Sequence, residues 1–91
     1  MAKDPERELA RGIRRQDSRC LELLIERYAA ELYALVSHIL GGLGTPEDTE
    51  EVVSDVFVAV WCEIEQFDAQ RGTLAKWMRM RAKYMALDRR L

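Results

Sequence analysis

Between Thr45 and Trp61 the stretch TPEDTEEVVSDVFVAVW carries five carboxylates, Glu47, Asp48, Glu50, Glu51 and Asp55, and no Lys or Arg. From Ala69 to Leu91 the balance reverses, with seven bases against Asp88 alone. Clustered carboxylates can serve acid–base catalysis, but that chemistry needs a convergent pair and burial that tunes a pKa. Glu50 and Glu51 are neighbours on a polar face, the chain has one His, and no Gly-rich phosphate loop occurs, so the sequence reads as that of a non-enzyme. Cys20 and Cys62 lack CxxC spacing and His38 has no second His nearby, which predicts no metal site, no cofactor, and two reduced thiols near the core. What segregated charges can do is bind. A carboxylate face repels phosphate and suits a basic protein surface, whereas a cationic face suits a phosphate backbone.

The overall net charge of −2 conceals this segregation. Residues 1–44 balance seven bases with seven acids, residues 45–68 hold eight acids and no base, and residues 69–91 hold seven bases and one acid. Binding to a polyanion depends on the local patch and not on the whole-chain average. Ninety-one residues suit one domain, 1–91, with one modest core. No apolar run approaches the ~18 residues of a membrane span, and the start MAKDPERELA lacks a signal-peptide core, so a cytoplasmic protein without membrane contact is expected.

The elements that must position these charges all read as helices. Asp4 is a plausible N-cap, with Pro5 at the first helical position, for a short helix through PERELARGIRR. After QDS, the residues Leu21, Leu24, Ile25, Tyr28, Leu32, Leu35, Val36 and Ile39 recur at threes and fours, the pattern of a long amphipathic helix that GGLG ends. Thr45 caps a third helix, with Pro46 first and Asp48 completing a capping box; its core face is Val53, Val56, Phe57, Val60 and Ile64. Thr73 caps a last helix through LAKWMRMRAKYMALDRR. The fold expected is all-α, a compact bundle of about four helices.

At 100° per residue, Glu47, Glu50, Glu51, Ser54 and Asp55 form one stripe of the third helix, and Val58 and Trp61 continue it. Acids around an exposed apolar spot have the makeup of a protein interface. On the last helix Lys76, Arg79, Lys83 and Arg90 share one side, and Leu74, Trp77, Met78, Ala82 and Met85 the other, which marks Trp77 as core. Arg81 points among the inner residues, where a cation must snorkel or find a carboxylate.

In this order the motifs resemble region 2 of bacterial extracytoplasmic-function sigma factors, within the sigma-70-type family. LELLIERYAAELYALVSHILG is similar to the family's first long helix, with Tyr28 followed by Leu32 and Tyr33. PEDTEEVVSDVFVAVW resembles the polymerase-binding helix D-A-E-D-V-V-Q-E-V-F-x-x-x-W. FDAQRGTLAKWM resembles F-D-x-x-R-G-S-F-x-x-W-L, used in promoter melting, and ALDRRL is similar to the end of the helix that reads the minus-ten element. Ser54 replaces the family's usual Gln, Tyr84 a frequent Asn, and Met80-Arg81 the common Arg-Ile.

The resemblance implies a transcription initiation factor domain that binds RNA polymerase core through the β′ subunit clamp helices and recognises and melts the minus-ten element of promoter DNA. It implies polymerase-binding roles for Glu50, Glu51, Ser54, Asp55, Val58 and Trp61. It implies that Phe67, Asp68, Arg71, Gly72, Thr73, Lys76, Arg79 and Lys83 face the non-template strand, with an unstacked base in a pocket near the loop. An anti-sigma factor is a further candidate partner. Members of the family continue into a helix-turn-helix domain, so an isolated region 2 is expected. The alternative is a helical protein-interaction module without DNA binding, for which the basic helix is only a solvated surface.

Overall fold

The computed structural model describes residues 5–91, and the expected cap Asp4 lies outside them. Four α-helices follow in order, α1 (Pro5–Arg14), α2 (Ser18–Leu40), α3 (Pro46–Glu63) and α4 (Leu74–Arg90), with single 3₁₀ turns at Gly41–Leu43 and Ile64–Gln66. They form an all-α bundle of 44 × 24 × 24 Å, and no strand occurs among the described residues. Nor is any described helix long and apolar enough to cross a membrane.

The helix starts follow local chemistry. Thr45 Oγ1 accepts from the Asp48 N–H at 3.1 Å while Asp48 Oδ2 accepts from the Thr45 N–H at 2.9 Å, which is the expected capping box. Thr73 Oγ1 likewise accepts from the Lys76 N–H at 3.1 Å to start α4. Asp17 caps α2 through the Arg19 N–H. Gly41 ends α2 at φ 57° and ψ −138°, a positive-φ conformation that only glycine adopts without strain.

The long helix α2 is the spine against which α1, α3 and α4 pack. Its buried stripe, Leu24, Tyr28, Leu32, Val36 and Leu40, runs at four-residue steps, with Leu21, Leu35 and Ile39 on its flanks. Ile25, expected on this face, lies on the rim, 37% exposed, because it stands about 100° around the helix from its neighbour Leu24 on the buried stripe. The expected core face of α3 is buried throughout, and Val52, Ala59 and Thr49 widen it. Leu74, Met78 and Ala82 of α4 are fully buried; Trp77 and Met85 are only partly so and pack at the edge. Both thiols are free, Cys20 partly buried between helices and Cys62 exposed, so only Cys20 stands near the core as expected.

Candidate functional site

The outer face of α3 presents Glu47, Glu50, Glu51, Ser54, Asp55 and Val58 to solvent, with Val58 57% exposed. An open groove of about 740 Å³ runs beside it, between α3 and α4, lined by Val52, Asp55, Val58, Ala59, Met85 and Arg89 among others. Trp61 does not line this groove. It is partly buried against the core at the far edge of the stripe, so Val58 is the apolar centre of the exposed face.

The stripe is also less uniformly negative than its composition. Arg89 of α4 reaches across, its Nη2 lying 3.0 Å from Asp48 Oδ1 and 2.8 Å from Glu51 Oε2. This interaction holds the Glu51 carboxyl below its ordinary range; Asp48 is lowered first by the Thr45 backbone N–H and then by Arg89. Glu31 on α2 is lowered by its hydrogen bond from Arg79. Carboxylates whose folded pKa is depressed contribute stability above their unfolded pKa, about 4 for Asp and Glu, and lose it as pH falls through the folded value. The melting temperature should therefore be flat from neutral pH to about 5 and decline below the unfolded carboxylate range. Arg89→Gln should make that decline shallower without abolishing it, because Glu31 and the Thr45 bond to Asp48 remain. An acid limb identical to wild type would show that these exposed pairs add nothing, as many surface pairs do.

Glu47, Glu50 and Asp55 form no ion pair among the described residues, which leaves them available to a partner.

The second region is the loop between Phe67 and Thr73. Asp68 shapes it, its Oδ1 accepting from the Gln70 N–H at 2.9 Å and its carbonyl from the Arg71 N–H at 3.0 Å. Such a turn folds the chain back to start α4. A cleft of about 280 Å³ opens at this corner, where Phe67, Asp68, Arg71, Gly72, Thr73 and Lys76 converge with Gln66, Trp77 and Met80. The rings of Phe67 and Trp77 are 5.7 Å apart at 44°, and the Arg81 guanidinium lies 5.2 Å from the Trp77 ring. Trp77, expected as pure core, is thus a wall between core and cleft. Arg81 finds the carboxylate its position requires, with Nη1 2.9 Å from Glu63 and Nη2 donating to Gln66 at 3.0 Å.

Arg79 and Lys83 lie outside this cleft. Arg79 is turned towards α2, where Nε and Nη2 donate to Glu31 at 2.6 and 3.1 Å. Lys83 lies farther along α4, its Nζ 6.0 Å from the exposed Tyr84 ring. A neutralised Arg79 offers a phosphate less than its formal charge implies, so Arg71 and Lys76 are the cations at the cleft.

Residues that sequence reasoning missed hold the corner in place. Glu6 of α1 accepts from the Leu74 N–H and from the Tyr28 hydroxyl at 3.1 Å, supplying α4 with an acid at its positive end. Burial, and then the Glu6 carboxylate, push the Tyr28 phenol above its ordinary pKa. Arg14 Nη2 donates to the Phe67 carbonyl at 2.7 Å. Only interactions across many residues reveal these roles; in the sequence Glu6 and Arg14 are ordinary surface charges of a short helix.

The site pairs an acidic face having an apolar centre with a cationic, aromatic-walled cleft at the start of the next helix. Comparison with curated proteins and with solved structures gives no match. The model of sigma-70 region 2 matches residues 24–91, which span α3, the loop, α4 and most of α2. The chain therefore belongs to the sigma-70 region 2 family and is a transcription initiation domain of the kind that binds RNA polymerase and melts promoter DNA.

Proposed function

We propose that this chain is region 2 of an extracytoplasmic-function sigma factor, acting in the cytoplasm. The face of α3 around Val58 docks on the β′ clamp helices of RNA polymerase core, with Glu50 and Asp55 meeting basic residues, Glu51 shared between Arg89 and the partner, and Ser54 adding a short polar contact. The cleft at Phe67, Trp77 and Lys76 takes an unstacked base of the non-template minus-ten strand, and Arg71 and Lys76 hold the adjoining phosphates. The observation that carries this reading is the cleft itself, since single-strand readout needs cations for phosphates next to an aromatic or apolar wall for a base. An anti-sigma factor would compete for the same α3 face.

Glu50 and Asp55 separate binding from folding, because both are exposed and neither forms an ion pair among the described residues. Glu50→Lys with Asp55→Lys should weaken binding to isolated β′ clamp helices by about tenfold or more, roughly 1.4 kcal/mol. Far-UV circular dichroism should stay unchanged. Undiminished affinity would remove the polymerase contact from α3.

A further inference from the structure

Helix α1 lies outside the residues that match sigma-70 region 2, yet it forms one side of a second cleft beneath the same loop. This cleft, of about 700 Å³, is bounded by α1 on one side and by the loop on the other. Arg7, Arg11 and Arg14 line it from α1, and Arg71 lines it from the loop. The three α1 arginines recur at steps of four and three, within an arc of about 60° on a helix of 100° per residue. All four are exposed, and Glu6, the one carboxylate lining the cleft among the described residues, is bonded to the Leu74 and Ala75 N–H groups and the Tyr28 hydroxyl.

Guanidinium groups gathered at one cleft repel one another, and an anion set between Arg11, Arg14 and Arg71 relieves that repulsion. Arg71 has Asp68 at 3.6 Å, with its side chain 88% exposed, a weak pair. Arg11 forms no ion pair among the described residues, and Arg14 is bound to the uncharged Phe67 carbonyl. Guanidinium forks match phosphate oxygens in geometry as well as charge. The cleft is also continuous with the first one, because Phe67, Arg71, Gly72 and Thr73 line both. A strand with a base beside Trp77 would carry its neighbouring phosphates over this shared rim.

We infer that the arginine face of α1 is a second phosphate-binding subsite for single-stranded promoter DNA, holding nucleotides that adjoin those at the Trp77 cleft. The inference rests on the reading of that cleft as a single-strand site. Glu6 and Arg14 fix α1 to both ends of the loop, so the two subsites keep a constant spacing.

The test uses the full chain assembled with RNA polymerase core and two pre-melted promoter fragments. One exposes only the nucleotides at the Trp77 cleft; the other carries single-stranded extensions on both sides. Removing one cation from a phosphate should flatten the log–log salt slope of binding by about 0.7. Arg7→Gln with Arg11→Gln should therefore flatten it by about 1.4 on the extended fragment and leave the short fragment unchanged. Arg11→Gln alone, which removes an exposed side chain without an ion pair among the described residues, should give about half that effect whether or not the double variant folds. Lys76→Gln should flatten the slope on both fragments. An unchanged slope for the arginine variants beside a flattened one for Lys76→Gln would overturn the α1 subsite and leave the cleft reading standing. No change in any variant would overturn both.

Discussion

Trp77→Ala is expected to lower stability by about 2 to 3 kcal/mol and the melting temperature by roughly 8 to 24 °C. Truncating a buried Trp to Ala typically costs about 3 to 5 kcal/mol, and each kcal/mol shifts a domain of this size by about 4 to 8 °C. Trp77 falls below the full range because it is only partly buried, packing on the core while also lining the cleft. Its removal deprives Phe67 of a ring neighbour at 5.7 Å and Arg81 of the aromatic face 5.2 Å away. The same substitution should impair single-strand binding at temperatures where the variant is folded. Trp77→Phe separates the two effects, since a smaller ring retains much of the packing but presents less wall to a base. Thermal melts and strand titrations of both variants check this. An Ala variant as stable as wild type would show that the inner face of the indole carries no packing, while full stability loss with unchanged strand binding would reduce Trp77 to core.

Gly12→Ala is expected to destabilise the domain by about 1 to 3 kcal/mol, the range for an overpacked core. Gly12 lies in the buried contact of α1 with α2, where an added Cβ would sit 2.1 Å from Cys20 Sγ and 2.8 Å from Cys20 Cβ. Neither separation is tolerable for carbon against carbon or sulfur, so the two helices must move apart. The predicted consequence extends beyond α1, because Glu6 and Arg14 brace the Leu74 end and the Phe67 end of the loop from that helix. Strand binding at the loop should weaken together with stability. Cys20→Ala in the same chain should restore only part of the stability, since it relieves the clash with sulfur and keeps the one with Cβ. Denaturant titrations of the single and double variants provide the cycle. Additive effects of the two substitutions would place the strain somewhere other than at Cys20.

The acidic stripe shows where reading charge from sequence succeeds and where it stops. The face of α3 was legible because helical spacing is a property of the backbone, so Glu50, Asp55 and Val58 had to share a side once α3 formed. Caps at Thr45 and Thr73 were legible for a related reason: their hydrogen bonds close over three residues. What a long basic side chain does once it leaves its helix has no such local rule. Arg79 reads as a phosphate cation by its position on the wheel, yet Glu31, 48 residues away, holds it with two bonds. Arg89 is one of two bases in the last turn of α4, and the crossing of α4 over α3 brings it between Asp48 and Glu51.

The sequence by itself determined the all-α class, the starts of α3 and α4, the buried face of α3 and the motifs that place the chain with sigma-70 region 2. Periodicity and capping act within a few residues, so the physics that sets these features is present in any short window. Only the tertiary structure decided that Trp77 stands between core and cleft, that Arg81 pairs with Glu63 and Gln66, and that Trp61 turns inward. It also decided that α1 carries the loop on Glu6 and Arg14 and turns its arginines towards the cleft below. These depend on the angle and depth at which helices cross, which follow from the packing of the whole core and are encoded in no single segment.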